Sequence, residues 1–225
     1  MSDSWNIEAL RQYISAGHVP ESPSLEIVDS LDRYVRIFVY HLISARDAMK
    51  EVIHTNDPYG IENTKYLFGA SERQEDFYKA MTVTEANTLG CIHATRAIYD
   101  VFSQLLNHLL LSGELSERAC SIVSVEKLLP RSDVKQILTD LLSSQWFAYV
   151  SAFINTAKHR RLVGQLFHVS FESPSARVEV PAFAYEGQSF ASHTLEEILR
   201  GVVDVKNAVV HCGRALNSQL GVAAG

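Results

Sequence analysis

The sequence has little of what membrane-spanning, disulfide-rich or low-complexity proteins require. No stretch of about 18 apolar residues runs without a charged or strongly polar residue, so we expect no transmembrane helix. The chain has 225 residues but three cysteines, and these lie far apart at Cys91, Cys120 and Cys212. That odd number argues for buried thiols and against a disulfide framework or a cysteine-rich metal site. The 11 glycines and 6 prolines are too few for a collagen-like chain.

Basic residues are also in the minority. The 20 Lys and Arg residues face 26 Asp and Glu residues, which gives a formal net charge of -6. With this net negative charge, the protein surface as a whole is not a nucleic-acid-binding surface, so any anion-binding site must be local. The N-terminal residues Met1 to Glu8 carry acids where a secretory signal carries Lys or Arg. With 47% hydrophobic residues, the sequence predicts a soluble, cytoplasmic globular protein.

The spacing of apolar residues predicts four long helices. Apolar positions recur at alternating steps of three and four, and residues that favour helix caps or turns mark the ends. The predicted helices run from Ser22 to about residue 54, from Ser71 to Ser112 with a restart or kink at Thr82, from Asp133 to about Val163, and from Thr194 to about Leu220.

Between the last two helices the hydrophobic period changes to two. Apolar and polar residues alternate from Gln165 to Glu172 and again from Arg177 to Val180, which predicts a β-hairpin at about 165–185. Pro181 should confine the second strand to a sheet edge. No linker or repeat divides the chain, so we expect one domain over 1–225. The predicted fold is all-α, an up-and-down bundle of four long helices with a small β-hairpin inserted before the last helix.

A polar pair interrupts the apolar face of the third predicted helix. At about 100° per residue, Asn155 and His159 continue the sector that the apolar side chains define. Positions i and i+4 are neighbours on a helix, so the Asn155 amide can hydrogen-bond the His159 imidazole and fix its free nitrogen. Three cations flank the pair, namely Lys158, Arg160 and Arg161.

The same stretch contains no acidic residue. Between Asp140 and Glu172 there is neither Asp nor Glu, so this helix end and the following strand are the most electropositive part of an acidic chain. A phosphate group would find its best partner here. Histidine transfers protons near neutral pH, and neighbouring cations hold developing negative charge without a metal. The set therefore suits phosphodiester cleavage.

These residues also have a purely structural interpretation, which the pattern alone favours. A histidine on an inward face is commonly a hydrogen-bonded core residue, and the negative end of a helix dipole favours basic residues in the last turn. Under this interpretation the protein is a non-catalytic helical interaction module. A nucleotide-binding bundle that uses the same basic pocket is a further alternative.

The segment 155–161, Asn-Thr-Ala-Lys-His-Arg-Arg, resembles the HEPN superfamily. The resemblance lies in Asn-x-x-Lys-His-Arg near the end of a long helix, followed by a hairpin and a last amphipathic helix. Members of that superfamily are commonly metal-independent endoribonucleases, often toxins or defence effectors, that act as dimers with both motifs at one cleft. The resemblance implies RNA cleavage by 2′-hydroxyl attack in a homodimer, without a cofactor, and an antitoxin or other protein as a further partner.

The sequence departs from the superfamily's usual catalytic signature, an Arg followed after four to six residues by a His. Asn155 and His159 have three residues between them, whereas Arg161 and His168 have six. Many HEPN-like proteins are also thought to have lost activity and to act as binding modules. The resemblance therefore leaves both a ribonuclease and a binding module open.

We assign the site as follows. His159 is the general acid or base, Asn155 orients it, and Arg160 and Arg161 complete the catalytic set. On the second helix, Arg96 shares a face with His93 and Asp100 and could supply a further guanidinium, although the pattern favours an ordinary salt bridge on that face. Glu51-x-x-His54 has no second copy, so we expect no di-iron site and no metal. Phosphate or RNA binding is assigned to Lys158, His168 and Arg96.

Overall fold

The computed structural model describes residues 4–18, 21–50, 52–53, 57, 60–170 and 175–222. Most of this chain is helical, as the sequence predicts, and short antiparallel strands precede the last helix. Within these residues, no helix combines the length and the apolar character needed to cross a membrane. The helices are α1 (Ile7–Tyr13), α2 (Glu21–Lys50), α3 (Ile61–Leu67), α4 (Gln74–Leu110), α5 (Ile122–Leu128), α6 (Asp133–Ser143), α7 (Gln145–His159) and α8 (Leu195–Gln219). The strands are β1 (Leu166–Ser170), β2 (Ser175–Val180), β3 (Phe183–Tyr185), β4 (Gln188–Phe190) and β5 (His193–Thr194).

The first predicted long helix is confirmed as α2. It begins at Glu21, so Ser22 lies inside the helix and is not its N-cap. The helix ends at Lys50, about four residues before the predicted end near residue 54, which itself lies outside the described residues. The short helix α3 follows, which the periodicity did not predict. The Asp57 carboxylate caps it by accepting three backbone N–H groups at 3.0, 2.7 and 3.1 Å, those of Ile61, Glu62 and Asn63.

The second long helix, α4, runs without a break, so the predicted restart at Thr82 is wrong. The Thr82 hydroxyl donates to the Tyr78 carbonyl one turn back, at 3.0 Å, so it does not cap a new helix. The predicted stop is confirmed. Gly113 has φ 75°, and its N–H donates to the Asn107 carbonyl at 2.9 Å, a left-handed closure that glycine adopts without strain.

The third predicted long helix is instead two helices. Ser132 caps α6 as predicted, accepting the N–H of Lys135 at 3.3 Å. Ser144 then turns extended, with ψ 140°, and its hydroxyl accepts the N–H of Phe147 at 3.1 Å. A serine can thus end one helix and begin the next, because its side chain replaces the missing backbone partner. The second of the two helices, α7, ends at His159 and not near Val163.

The hairpin before the last helix is confirmed and extended. Strands β1 and β2 pair antiparallel, and their connecting residues 171–174 lie outside the described residues. Strand β5 pairs with the other side of β2, so β2 is the central strand and the predicted edge position is wrong. Pro181 follows the end of β2, where its missing N–H removes no ladder bond. A second hairpin, β3–β4, turns through Glu186 and Gly187, which have φ 50° and 81°.

The last helix, α8, starts at the predicted capping box. The Glu197 carboxylate accepts the N–H of Thr194 at 2.7 Å, and the Thr194 hydroxyl accepts the N–H of Glu197 at 3.3 Å. Each side chain satisfies the other residue's free backbone donor, which fixes where the helix begins.

The chain divides into two compact units, and each boundary falls inside a helix. The first unit comprises Met1–Ile37, Ala94–Ala148 and Val202–Gly225. Within this unit, the partly buried Trp5 indole meets the Phe102 ring edge-on at 5.6 Å and donates to the Asn217 side chain at 3.0 Å. A single domain over 1–225 and the up-and-down order of the bundle stay predictions.

The second unit comprises Phe38–His93 and Tyr149–Gly201, and aromatic side chains fill it. On α7, the buried Tyr149 meets Phe183 of β3 at 5.4 Å and Phe190 of β4 at 6.1 Å. The Phe183 and Phe190 rings stack at 5.1 Å. Burial raises the pKa of Tyr149. This aromatic group packs the β3–β4 hairpin against α7.

Candidate functional site

The last turn of α7 carries the basic cluster that the sequence predicts. The N–H groups of Arg160 and Arg161 both donate to the Thr156 carbonyl, at 3.0 Å each, and close the helix there. Lys158, His159, Arg160 and Arg161 are all exposed. The free carbonyls of a helix end amount to about half a negative charge, which three cations outweigh. We call residues 158–161 the basic turn.

His159 does not lie on the buried face of α7, so its predicted inward position is wrong. In the second unit, the packed face of α7 includes Tyr149, Phe153 and Thr156, which are 2% exposed each and repeat at steps of four and three. At about 100° per residue, Asn155 and His159 lie at the border of that face, beside Ala152, which is 3% exposed. Asn155 is half-buried, and His159 in the last helical position is exposed.

A tyrosine of the β3–β4 hairpin joins the end of α7. The Asn155 amide donates to the Tyr185 hydroxyl, which in turn donates to the Glu186 carboxylate. The Arg160 guanidinium lies over the Tyr185 ring, 4.8 Å from its centroid. The hydrogen bond to Glu186 raises the pKa of Tyr185, so the phenol stays protonated. Asn155 therefore contacts Tyr185, whereas the sequence predicted His159 as its hydrogen-bond partner.

His93 of α4 belongs to the same unit and lies near the basic turn. Its side chain is partly buried, and burial, followed by the positive charge of Lys158, lowers the pKa of His93. Both effects disfavour a second positive charge there. The structure thus places the His93 imidazole near the positive charge of Lys158.

Arg96 lies in the first unit and is held by its own helix. Its Nε donates to Asp100 Oδ2 at 2.7 Å, and its guanidinium lies 5.2 Å from the centroid of the Tyr99 ring. The predicted pairing of Arg96 with Asp100 is confirmed as an i, i+4 salt bridge. Its assignment to phosphate stays a prediction.

His168 lies on β1 beside an acidic side chain. It is exposed and pairs in register with Arg177 of β2. Arg177 in turn contacts Glu179 at 3.2 Å. A hydrogen bond from Ser192, then Arg177 and the nearby His168, lower the pKa of Glu179. Phosphate binding by His168 would therefore compete with a carboxylate.

Acidic residues from elsewhere in the chain approach the acid-free segment. Glu186 reaches the end of α7 through Tyr185, and a Glu85 carboxylate oxygen lies 3.5 Å from the position that a Cβ on Gly164 would occupy. Linear sequence cannot show this, because both residues are distant from the segment. One local signal was available for Tyr185: Glu-Gly between alternating aromatic residues is typical of a tight β-hairpin.

The basic turn offers two kinds of chemistry. The exposed imidazole of His159 can exchange protons with a bound molecule, and the ammonium and guanidinium groups beside it can hold a phosphate. Comparison with known proteins gave no match: no protein-family model, curated protein or solved structure is significantly similar to this chain.

Proposed function

We propose that this chain is a HEPN-like, metal-independent endoribonuclease whose site is the basic turn. The observation that supports the proposal is the exposure of His159 between two exposed cations, Lys158 and Arg160. A histidine with only a core role would be buried. The resemblance of segment 155–161 to the HEPN superfamily supplies the reaction class, and it extends the proposal to a homodimer.

The proposed reaction is internal transesterification of RNA. His159 takes the proton of a 2′-hydroxyl, the 2′ oxygen attacks phosphorus, and the bond from phosphorus to the 5′ oxygen breaks. The leaving 5′ oxygen takes a proton from an imidazolium group. The candidates for this group are His159, which has just gained a proton, and His168. The products are a 2′,3′-cyclic phosphate and a 5′-hydroxyl. Lys158 and Arg161 hold the charge that develops on the phosphoryl oxygens.

In this proposal Asn155 and Arg160 act as positioning residues. Both contact Tyr185, and the hairpin that carries Tyr185 packs on α7 through Tyr149 and Phe183. A fixed helix end would hold the imidazole at a constant distance from the bound phosphate, which acid–base catalysis requires.

The test is RNA cleavage in EDTA by the purified chain and two variants. His159→Ala removes the proposed acid or base, and His211→Ala, an exposed histidine on α8, is the matched control. We expect the control to cleave at the wild-type rate and His159→Ala to be at least about 100-fold slower. An RNA with a 2′-deoxy sugar at the cleavage site should stay intact. Equal rates for both variants, or no cleavage of varied single-stranded RNAs, would contradict the proposal.

A second candidate is a non-catalytic RNA-binding or interaction module. The observation in its favour is that Asn155 and Arg160 are already engaged by Tyr185, which gives the motif a structural task. This candidate predicts salt-sensitive RNA binding without turnover, weakened when Lys158 and Arg161 are both changed to Gln. The nucleotide-binding alternative instead predicts that ATP raises the melting temperature.

A further inference from the structure

The first unit contains an apolar cavity that the proposed ribonuclease site does not use. Its volume is about 390 Å³, near the lower end of the roughly 300–1,000 Å³ typical of small-molecule pockets. Its walls are formed by side chains from α1, α2, α4 and α8 and from the residues just before α1. The apolar ones that enclose most of it are Trp5, Ile7, Leu31, Val35, Ile98 and Val209.

One cation borders this cavity. Lys206 of α8 is partly buried, and its ammonium hydrogen-bonds the neutral side chain of Asn207. Among the described residues that line the cavity, none is acidic. Burial lowers the pKa of Lys206. A partly desolvated ammonium beside apolar walls is stabilised by an anion, and the walls themselves favour hydrocarbon.

We propose that this cavity binds a small amphipathic carboxylate, with its hydrocarbon body against the walls and its carboxylate on Lys206. The occupant's polar end is set by charge, because the ammonium is the group that selects an anion over an alcohol or an amine. Its size is set by the volume, which accommodates a medium-length hydrocarbon chain or a single aromatic ring. The described residues that line this cavity belong to the first unit, and none of them is part of the basic turn.

The experiment uses three probes with the same hydrocarbon tail and different heads. Octanoate, 1-octanol and octylammonium are titrated into the full chain by calorimetry, and melting temperatures are measured in parallel. We expect saturable binding of octanoate, binding of octanol weaker by about tenfold or more, and none of octylammonium. A charge-assisted hydrogen bond accounts for a difference of that size.

Variants then locate the binding. Lys206→Met keeps the apolar stem and removes the charge, so octanoate should bind it no better than octanol. Lys206→Arg should keep the preference for octanoate, and Lys127→Met, an exposed lysine on α5, should leave it unchanged. Val210→Phe fills the cavity and should abolish binding of both probes. The proposal is overturned if octanoate does not saturate, or if Lys206→Met or Val210→Phe binds it as the wild type does.

Discussion

Replacement of Gly213 by alanine tests how closely α8 packs on Trp5 in the first unit. A Cβ on Gly213 would lie less than 3 Å from each of three ring atoms of Trp5. Carbon atoms in ordinary contact are about 3.5–4.0 Å apart, so the overlap is about 1 Å. Because an indole is rigid, the whole ring must move to make room.

Two opposing effects decide the sign of the change in stability. Alanine is favoured over glycine inside a helix by about 1 kcal/mol. Against this, overpacking costs about 1–3 kcal/mol, and moving the ring weakens its hydrogen bond to Asn217, worth about 1 kcal/mol. The edge contact with Phe102 is lost as well. We therefore expect Gly213→Ala to lower the free energy of unfolding by about 2 kcal/mol.

The assay is urea denaturation followed by circular dichroism, in two backgrounds. When Trp5 is first replaced by Ala, the ring is absent and Gly213→Ala should stabilise by up to about 1 kcal/mol, since only the helix preference remains. Ala86→Gly, at an exposed position inside α4, measures that preference directly. The reasoning is refuted if Gly213→Ala is as stable as the wild type, or if the loss is the same in both backgrounds.

Three further predictions test local contacts. Hydrogen bonds from Thr194 lower the pKa of Glu197 in the folded protein. The carboxylate therefore stabilises the fold at pH values above the ordinary Glu pKa of about 4.3, and this stabilisation is lost as the pH falls through the lower pKa of the folded state. Glu197→Gln should thus lower the urea midpoint at neutral pH and leave it unchanged in strong acid. Lys158→Met should raise the pKa of His93 in an NMR titration, and an unchanged pKa would contradict their proximity. Asp57→Ala should destabilise α3 by about 1–2 kcal/mol, seen as faster amide exchange, whereas the single carbonyl oxygen of Asp57→Asn can keep two of the three cap bonds; equal exchange in both would contradict this.

Local signals in the sequence predicted the helix ends well. Ser132 and Thr194 cap α6 and α8 because a cap needs only its own side chain and the next three residues. The same rule gave a false start at Thr82, where the helix continues and the hydroxyl bonds to a carbonyl behind it. At Ser144 the rule missed a break, because the apolar spacing continues through it. Whether such a residue caps a helix or lies within one depends on packing that linear sequence does not contain.

The candidate site was predictable in composition but not in arrangement. The basic residues at 158–161 follow one another, so any helix end would bring them together. Tyr185 and Glu186 reach Asn155 only because the hairpin folds onto α7, and that contact is between positions 30 residues apart. The helical period placed Asn155 and His159 in line with apolar residues of the same helix. When a helix has apolar residues on several sides, the period alone does not show which side is buried.

All side chains of the basic turn are exposed, and one of them, that of Arg160, also contacts the β3–β4 hairpin. Its guanidinium makes this contact, since it lies over the Tyr185 ring. An exposed cation–π contact contributes about 0.5–1 kcal/mol, and a hydrogen bond to a charged group about 1.5–3 kcal/mol. A phosphate at this helix end would therefore bind the Arg160 guanidinium more strongly than the Tyr185 ring does. In the proposed ribonuclease, RNA binding then acts on the β3–β4 hairpin as well as on the basic turn, because Arg160 of the turn contacts Tyr185 of the hairpin.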